Sequence, residues 1–177
     1  MTLRDLGWDE TWDTALDEAS LPAGRPARVT VQERDRWTIQ AGSGSHPARL
    51  THGALRPRPV TGDWIVAEPG PTETDPWGIL TVLPRRTALA RGAAGEGHEA
   101  QVLAANIDRL WVVQALDRAP NLRSLERYLA VAWESGAAPE VVLTKSDLAE
   151  DLEAMLDSVR DVALGVPIHA VSIQDDN

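Results

Sequence analysis

The 177-residue sequence predicts a small five-stranded all-β barrel followed by an incomplete parallel α/β sheet. Three observations predict it. Apolar and polar residues alternate with period two through residues 25–84. Gly, Pro and Ser cluster in every gap of that stretch, and no long helical pattern interrupts it. Beyond residue 104, short apolar runs are separated by segments of 3.6-residue period, as strands joined by crossover helices require.

Residues 1–24 read as a helical segment. Asp9 is placed to cap it, Trp12, Ala15, Leu16 and Ala19 recur on one face, and Pro22 and Gly24 stop it. The reading is a short amphipathic helix packed on the segment after it, with a mobile acidic tail as the alternative. Residues 25–88 carry the barrel. Val29 and Val31 mark a first strand and Trp37, Ile39 and Ala41 a second, with Glu33–Arg36 turning between them. Ala48–Thr51 makes a third, Gly62–Glu68 a fourth and Gly78–Pro84 a fifth. Five short strands without a long helix fit a barrel of the oligonucleotide-binding type better than a sandwich.

Residues 89–104, rich in Gly and Ala, read as a flexible linker. Residues 105–177 form the α/β part. Ile107–Leu116 is nearly continuously apolar, as expected of a strand buried on both faces. Leu122, Leu125, Leu129, Ala132 and Trp133 mark a helix ending at Gly136, and Glu140–Thr144 a second buried strand. Leu152, Leu156, Val159 and Ala163 mark a second helix, and Ile168–Ser172 a third strand.

Charge is distributed unevenly. The net charge is −10, yet residues 25–91 hold ten arginines against six acids, while residues 1–24 and 92–177 are strongly acidic. One basic segment in an acidic chain is the footprint expected for a polyanion partner. Arg25, Arg28, Arg34, Arg36, Arg49, Arg56, Arg58, Arg85 and Arg86 are candidate phosphate contacts. Trp37 and Trp64 are in phase with the core, whereas Trp77, in a Pro-rich loop, is the candidate exposed stacking face for a base. No apolar run approaches the ~20 residues of a membrane span. With a polar, acidic N-terminus and no Cys, the expectation is a cytoplasmic protein without disulfides, thiolate zinc sites or a Cys nucleophile.

The sharpest motif is Thr144-Lys145-Ser146-Asp147, directly after a buried strand. Ligands of open parallel sheets bind beyond the carboxyl ends of the strands. Guanine presents N1–H and its 2-amino group side by side, and one carboxylate accepts both. Adenine offers no such pair. Asp147 is placed for that role, and the aliphatic stem of Lys145, the only lysine in the chain, can lie over the base. Ser172 ends the next strand, where a following backbone N–H can donate to guanine O6. The alternative is a capped loop, with Ser146 or Asp147 starting the next helix.

No Gly-x-x-x-x-Gly-Lys-Ser/Thr occurs, and the Gly-rich stretches 42–45 and 92–97 lack the lysine. The four histidines (His46, His52, His98 and His169) show no metal-ligand spacing. These residues therefore predict no metal site and no catalytic residue within the chain.

The order of parts, with PRRTALAR at 84–91, QVLAANIDRLWVVQALD at 101–117, Arg127-Tyr128-Leu129 and VVLTKSDL at 141–148, resembles the small-ribosomal-subunit-dependent GTPase A family. These are circularly permuted P-loop GTPases of ribosome biogenesis. The resemblance implies an RNA-binding barrel that docks on 16S rRNA of the small ribosomal subunit. It implies GTP or GDP with Mg²⁺ as ligands, and GTP hydrolysis during late 30S maturation. Thr144, Lys145 and Asp147 take the guanine-specificity role, and Ser172 begins the second base-contacting motif. Thr144 stands where the family commonly has Asn, so weaker bracing of the loop is expected. The family places its phosphate loop beyond Asn177 and then a zinc-binding domain. The expectation is thus the first half of the GTPase domain, inactive alone. The alternatives are a free-standing RNA-binding module and a non-hydrolysing guanine-nucleotide sensor.

Overall fold

The structure is a computed structural model and describes residues 1–51, 53, 55–91 and 101–174. It comprises two compact units, residues 1–106 and 107–177. The expected architecture, a five-stranded barrel and then a parallel sheet, is the one found.

In the first unit, strands β1 (Arg25–Glu33), β2 (Arg36–Ala41), β3 (Gly44–Leu50), β4 (Trp64–Glu68) and β5 (Trp77–Val82) close in the order β1-β2-β3-β5-β4. All pairings are antiparallel except β3 with β5. The period-two residues point inward: Ala27, Val29, Trp37, Ile39, Ala41, Ala48, Ile65, Ala67, Trp77, Ile79 and Val82 make one core. A bulge between Val29 and Val31 shifts the β1–β2 register, and Val31 ends up exposed.

Strand β4 is buried on both faces because helix α1 (Glu10–Ala19) covers its outer side. Asp9 caps α1 by accepting from Thr11 N at 3.0 Å. Trp8, Trp12 and Trp64 then form an aromatic cluster, with Trp8 edge-on to Trp64 at 4.8 Å. The N-terminal segment is therefore the packed amphipathic helix, not a mobile tail.

The linker reading needs correcting. Residues Ala88–Arg91 (β6) and Gln101–Ala105 (β7) pair as an antiparallel two-stranded sheet, and residues 92–100 lie outside the described residues. Ala105 N donates to Thr61 O at 2.9 Å, and Ala104 bridges to Thr61. Gly62 sits at φ +91°, where a Cβ would lie 2.0 Å from Ala105 O, so only glycine admits this approach. Small side chains hide these strands from periodicity; their pairing and the contact with residues 61–62 hold them.

In the second unit, β8 (Arg109–Ala115), β9 (Ala138–Thr144) and β10 (Ile168–Val171) form a parallel sheet in the order β10-β9-β8. Helices α2 (Leu122–Ser135) and α3 (Leu152–Val162) pack Leu125, Leu129, Leu156 and Val159 onto Val112, Leu116, Val141 and Leu143. Asn121 and Asp151 cap the two helices through Ser124 N and Ala154 N, both at 3.0 Å. The first strand is not buried on both faces as its apolar run suggested. Trp111 is 65% exposed and Val113 56%, because both helices lie against the other face. On the uncovered face the buried Glu140 accepts from Arg109 at 2.7 Å and from Trp111 Nε1 at 3.1 Å. Among the described residues no helix is long and apolar enough to cross a membrane.

Candidate functional site

The sheet order sets four side chains along the carboxyl ends of the strands. Asp117 follows β8, Lys145 and Asp147 follow β9, and Ser172 follows β10. The parallel register matches Ala115 with Thr144 and Thr144 with Val171, so these loops leave the sheet at one level. Thr144 closes β9 with its carbonyl accepting Leu116 N at 2.9 Å, while its hydroxyl reaches Gln114 O only at 3.4 Å.

Lys145 adopts the left-handed conformation, φ 57° and ψ 41°. This is costly for a residue with a Cβ, by about 1 kcal/mol, and such residues concentrate where a loop is held for function. The chain then makes one 3-10 turn, Ser146–Leu148, tied by Leu148 N donating to Lys145 O at 3.0 Å. Asp147 stands exposed on this turn. Its Oδ1 accepts the Ser172 hydroxyl at 2.5 Å, and Ser172 Oγ accepts Gln174 N at 3.0 Å. Among the described residues its Oδ2 accepts no hydrogen bond, which leaves an acceptor facing solvent. The helix-capping alternative is not what is seen, since Asp151 caps α3.

Sequence reasoning missed Asp117. Its Oδ2 accepts from Lys145 Nζ at 2.6 Å, and this hydrogen bond lowers its pKa below the ordinary carboxylate value. Its position one residue beyond the apolar run of β8 was the available signal. A cavity of about 590 Å³ opens on this side of the sheet, lined by Gln114, Ala115, Arg118, Asn121, Ser124 and Tyr128. Its lining includes none of Asp117, Lys145, Asp147 and Ser172.

The barrel arginines divide by what they touch. Arg25, Arg34, Arg36, Arg49 and Arg56 are exposed, and none enters an ion pair among the described residues. Arg58 lies over Trp37, pairs with Asp35 and donates to Arg34 O at 2.8 Å, which gathers charge at the β1–β2 turn. Arg28 is half-buried, donating to Leu6 O and Asn106 O and lying over Trp64. Arg85 is tied to the fully buried Asp63 through two 2.8 Å bonds. Arg86 lies over Trp12 and forks onto Asp9, whose pKa its hydrogen bond pulls down to about 2. All three are engaged by partners within the first unit.

Trp77 corrects the sequence reading outright. It is only 6% exposed, belongs to the barrel core and stacks on His46 at 4.6 Å. Strand β5 begins at Trp77 itself, one residue before the glycine at which the alternation becomes legible, and its pairing with Ala48 turns the ring inward. It offers no stacking face for a base. No three His, Asp or Glu side chains come together to hold a metal among the described residues.

Comparison with known proteins agrees with this fold. The RsgA GTPase family model matches residues 82–177. The small ribosomal subunit biogenesis GTPase RsgA of Streptomyces coelicolor is 38% identical over 179 residues, covering 97% of this chain and 48% of that protein. The protein of the same name from Methanosarcina acetivorans is 44% identical over 115 residues, covering 65% of this chain and 31% of its own length. Among solved structures, YjeQ from Thermotoga maritima superposes with a TM-score of 0.65 at 20% identity, covering 85% of this chain and 52% of that one. YloQ, described as a circularly permuted GTPase, gives 0.63 at 16% identity, covering 86% and 53%. The chain spans about half the length, or less, of these curated relatives.

Proposed function

The chain belongs to the RsgA GTPase family, and from that premise we propose that it carries the guanine-recognition half and the RNA-docking barrel of a ribosome-biogenesis GTPase. In this reading the intact protein binds 16S rRNA of the small ribosomal subunit and hydrolyses GTP during late 30S maturation, in the cytoplasm. Asp147 accepts guanine N1–H and the 2-amino group, Lys145 lays its stem over the ring, and a backbone N–H beyond Ser172 meets O6. Thr144 braces the loop. These 177 residues contain no phosphate-loop sequence, so they select the base, and the chain alone does not turn over GTP.

One observation carries the proposal: an exposed carboxylate at the crest of a parallel sheet, with one oxygen held by Ser172 and the other open. Ligand-observed NMR on this chain tests it with nucleosides. The expected order is guanosine over inosine, which lacks the 2-amino group, over adenosine, which lacks both donors. Equal binding of adenosine and guanosine would remove the base-recognition role.

The barrel half has its own test. If Arg25, Arg34, Arg36, Arg49, Arg56 and Arg58 meet rRNA phosphates, log K for an RNA fragment falls linearly with log salt, by about 0.7 to 0.9 per contacted phosphate. Replacing Arg34, Arg36 and Arg49 together by Gln is expected to flatten that slope by about two to three units. A wild-type slope near zero would sink the electrostatic docking surface.

A further inference from the structure

We infer that Asp117 is a positioning residue for the guanine site, acting through Lys145: its carboxylate, at the end of β8, anchors the ammonium and so holds the lysine stem in place before the base arrives. The inference rests on the base-recognition reading and adds a residue which that reading does not use.

Three features support it. The ammonium and carboxylate are 2.6 Å apart and 28 residues apart in sequence, brought together by the parallel pairing of β8 and β9. Lys145 is the only lysine in a chain that otherwise uses arginine, so the site employs a slim, flexible stem with a point charge at its tip. Such a stem is a poor platform unless its tip is held, because ordering it on binding costs side-chain entropy. Asp117 orders it beforehand. The backbone of Lys145 is likewise preset, in the left-handed conformation, so both ends of the side chain are constrained.

The pair contributes little to folding. The Lys145 and Asp117 side chains are 51% and 39% exposed, and ion pairs at that exposure add little to stability. Arg118, the next residue in the chain, also attracts the Asp117 carboxylate but is not the group bonded to it. On the far side, Asp147 is engaged by Ser172 rather than by Lys145. The crest thus separates its charges: Lys145 is held towards β8, and the recognising carboxylate is held towards β10.

The single lysine makes the test clean. With ¹³C-labelled lysine, the chain yields one set of side-chain resonances, those of Lys145. In the wild type the two Hε protons should be distinct, as for a held ammonium. In Asp117→Asn they should merge, guanosine affinity should fall by about three- to tenfold, the order of guanosine over adenosine should persist because Asp147 still reads the base, and the melting midpoint should stay within about 2 °C. Asp117→Glu should recover part of the affinity. Asp147→Ala should abolish the guanosine preference while leaving the Lys145 resonances distinct. Unchanged guanosine affinity in Asp117→Asn, in a chain that does prefer guanosine, overturns the role of Asp117 alone. A wild-type chain without guanosine preference overturns the base-recognition reading and this inference with it.

Discussion

Asp147→Asn is expected to convert a guanine-preferring site into one that prefers xanthine. A carboxylate offers two acceptors to the two adjacent donors of guanine, N1–H and the 2-amino group. An asparagine offers one acceptor and one donor, so its amide faces the 2-amino group donor to donor. Xanthine carries a carbonyl at that position and accepts from the amide. The surroundings fix which way the amide turns. Gln174 N donates to Ser172 Oγ, which directs the Ser172 proton onto Asp147 Oδ1. In the variant the carbonyl oxygen keeps that bond, and the NH₂ takes the outward place of Oδ2. Losing one charge-assisted bond and creating a donor–donor clash costs about 2–4 kcal/mol, or roughly a hundredfold in guanosine affinity. Competition between guanosine and xanthosine measures it, and an unaltered preference would take Asp147 out of the role.

The second large effect is on stability. Asp63 is 0% exposed, and its carboxylate accepts from Val60 N, Arg85 Nε and Arg85 Nη2, each at 2.8 Å. Arg85, with its side chain only 15% exposed, also donates to Arg58 O at 2.9 Å. Asp63→Ala leaves a largely buried guanidinium without its counter-charge and a backbone N–H without its acceptor. Removing one partner of a buried pair costs about 3–5 kcal/mol, which lowers the melting midpoint of a unit this size by about 12–25 °C. Near-UV circular dichroism follows it through the neighbouring Trp64. Arg85→Met removes the other partner and leaves the fully buried Asp63 carboxylate with Val60 N as its donor, so a comparable loss is expected. A shift below about 2 °C in Asp63→Ala would show that the pair is not a fold-holding contact and would return Arg85 to the group available to RNA.

The arginines show why composition is an incomplete guide. Their concentration in residues 25–91 was plain from the sequence, and a polyanion partner was the expectation drawn from it. Which of them face solvent was not. Arg28, Arg85 and Arg86 are drawn to Asn106, Asp63 and Asp9, partners 78, 22 and 77 residues away. Trp77 failed for a related reason. The Pro-rich loop before it read as exposed, but the strand starts on the tryptophan itself, and its inward direction comes from pairing with Ala48 on another strand.

The sequence by itself determined the kind and order of the barrel strands, of the three longer helices and of the parallel strands, the Asp9 cap, and the loop after β9 that carries the Thr144–Asp147 motif. Those properties are local: side chains two apart share a strand face, and those three or four apart share a helix face. Only the tertiary structure decided that Asp117 meets Lys145, that Ser172 meets Asp147, that β6 and β7 pair rather than hang loose, and that α2 and α3 pack on the same face of the sheet. Such contacts join separate loops and strands whose spacing follows no period. They are set by how strands line up in space, which no window along the chain contains.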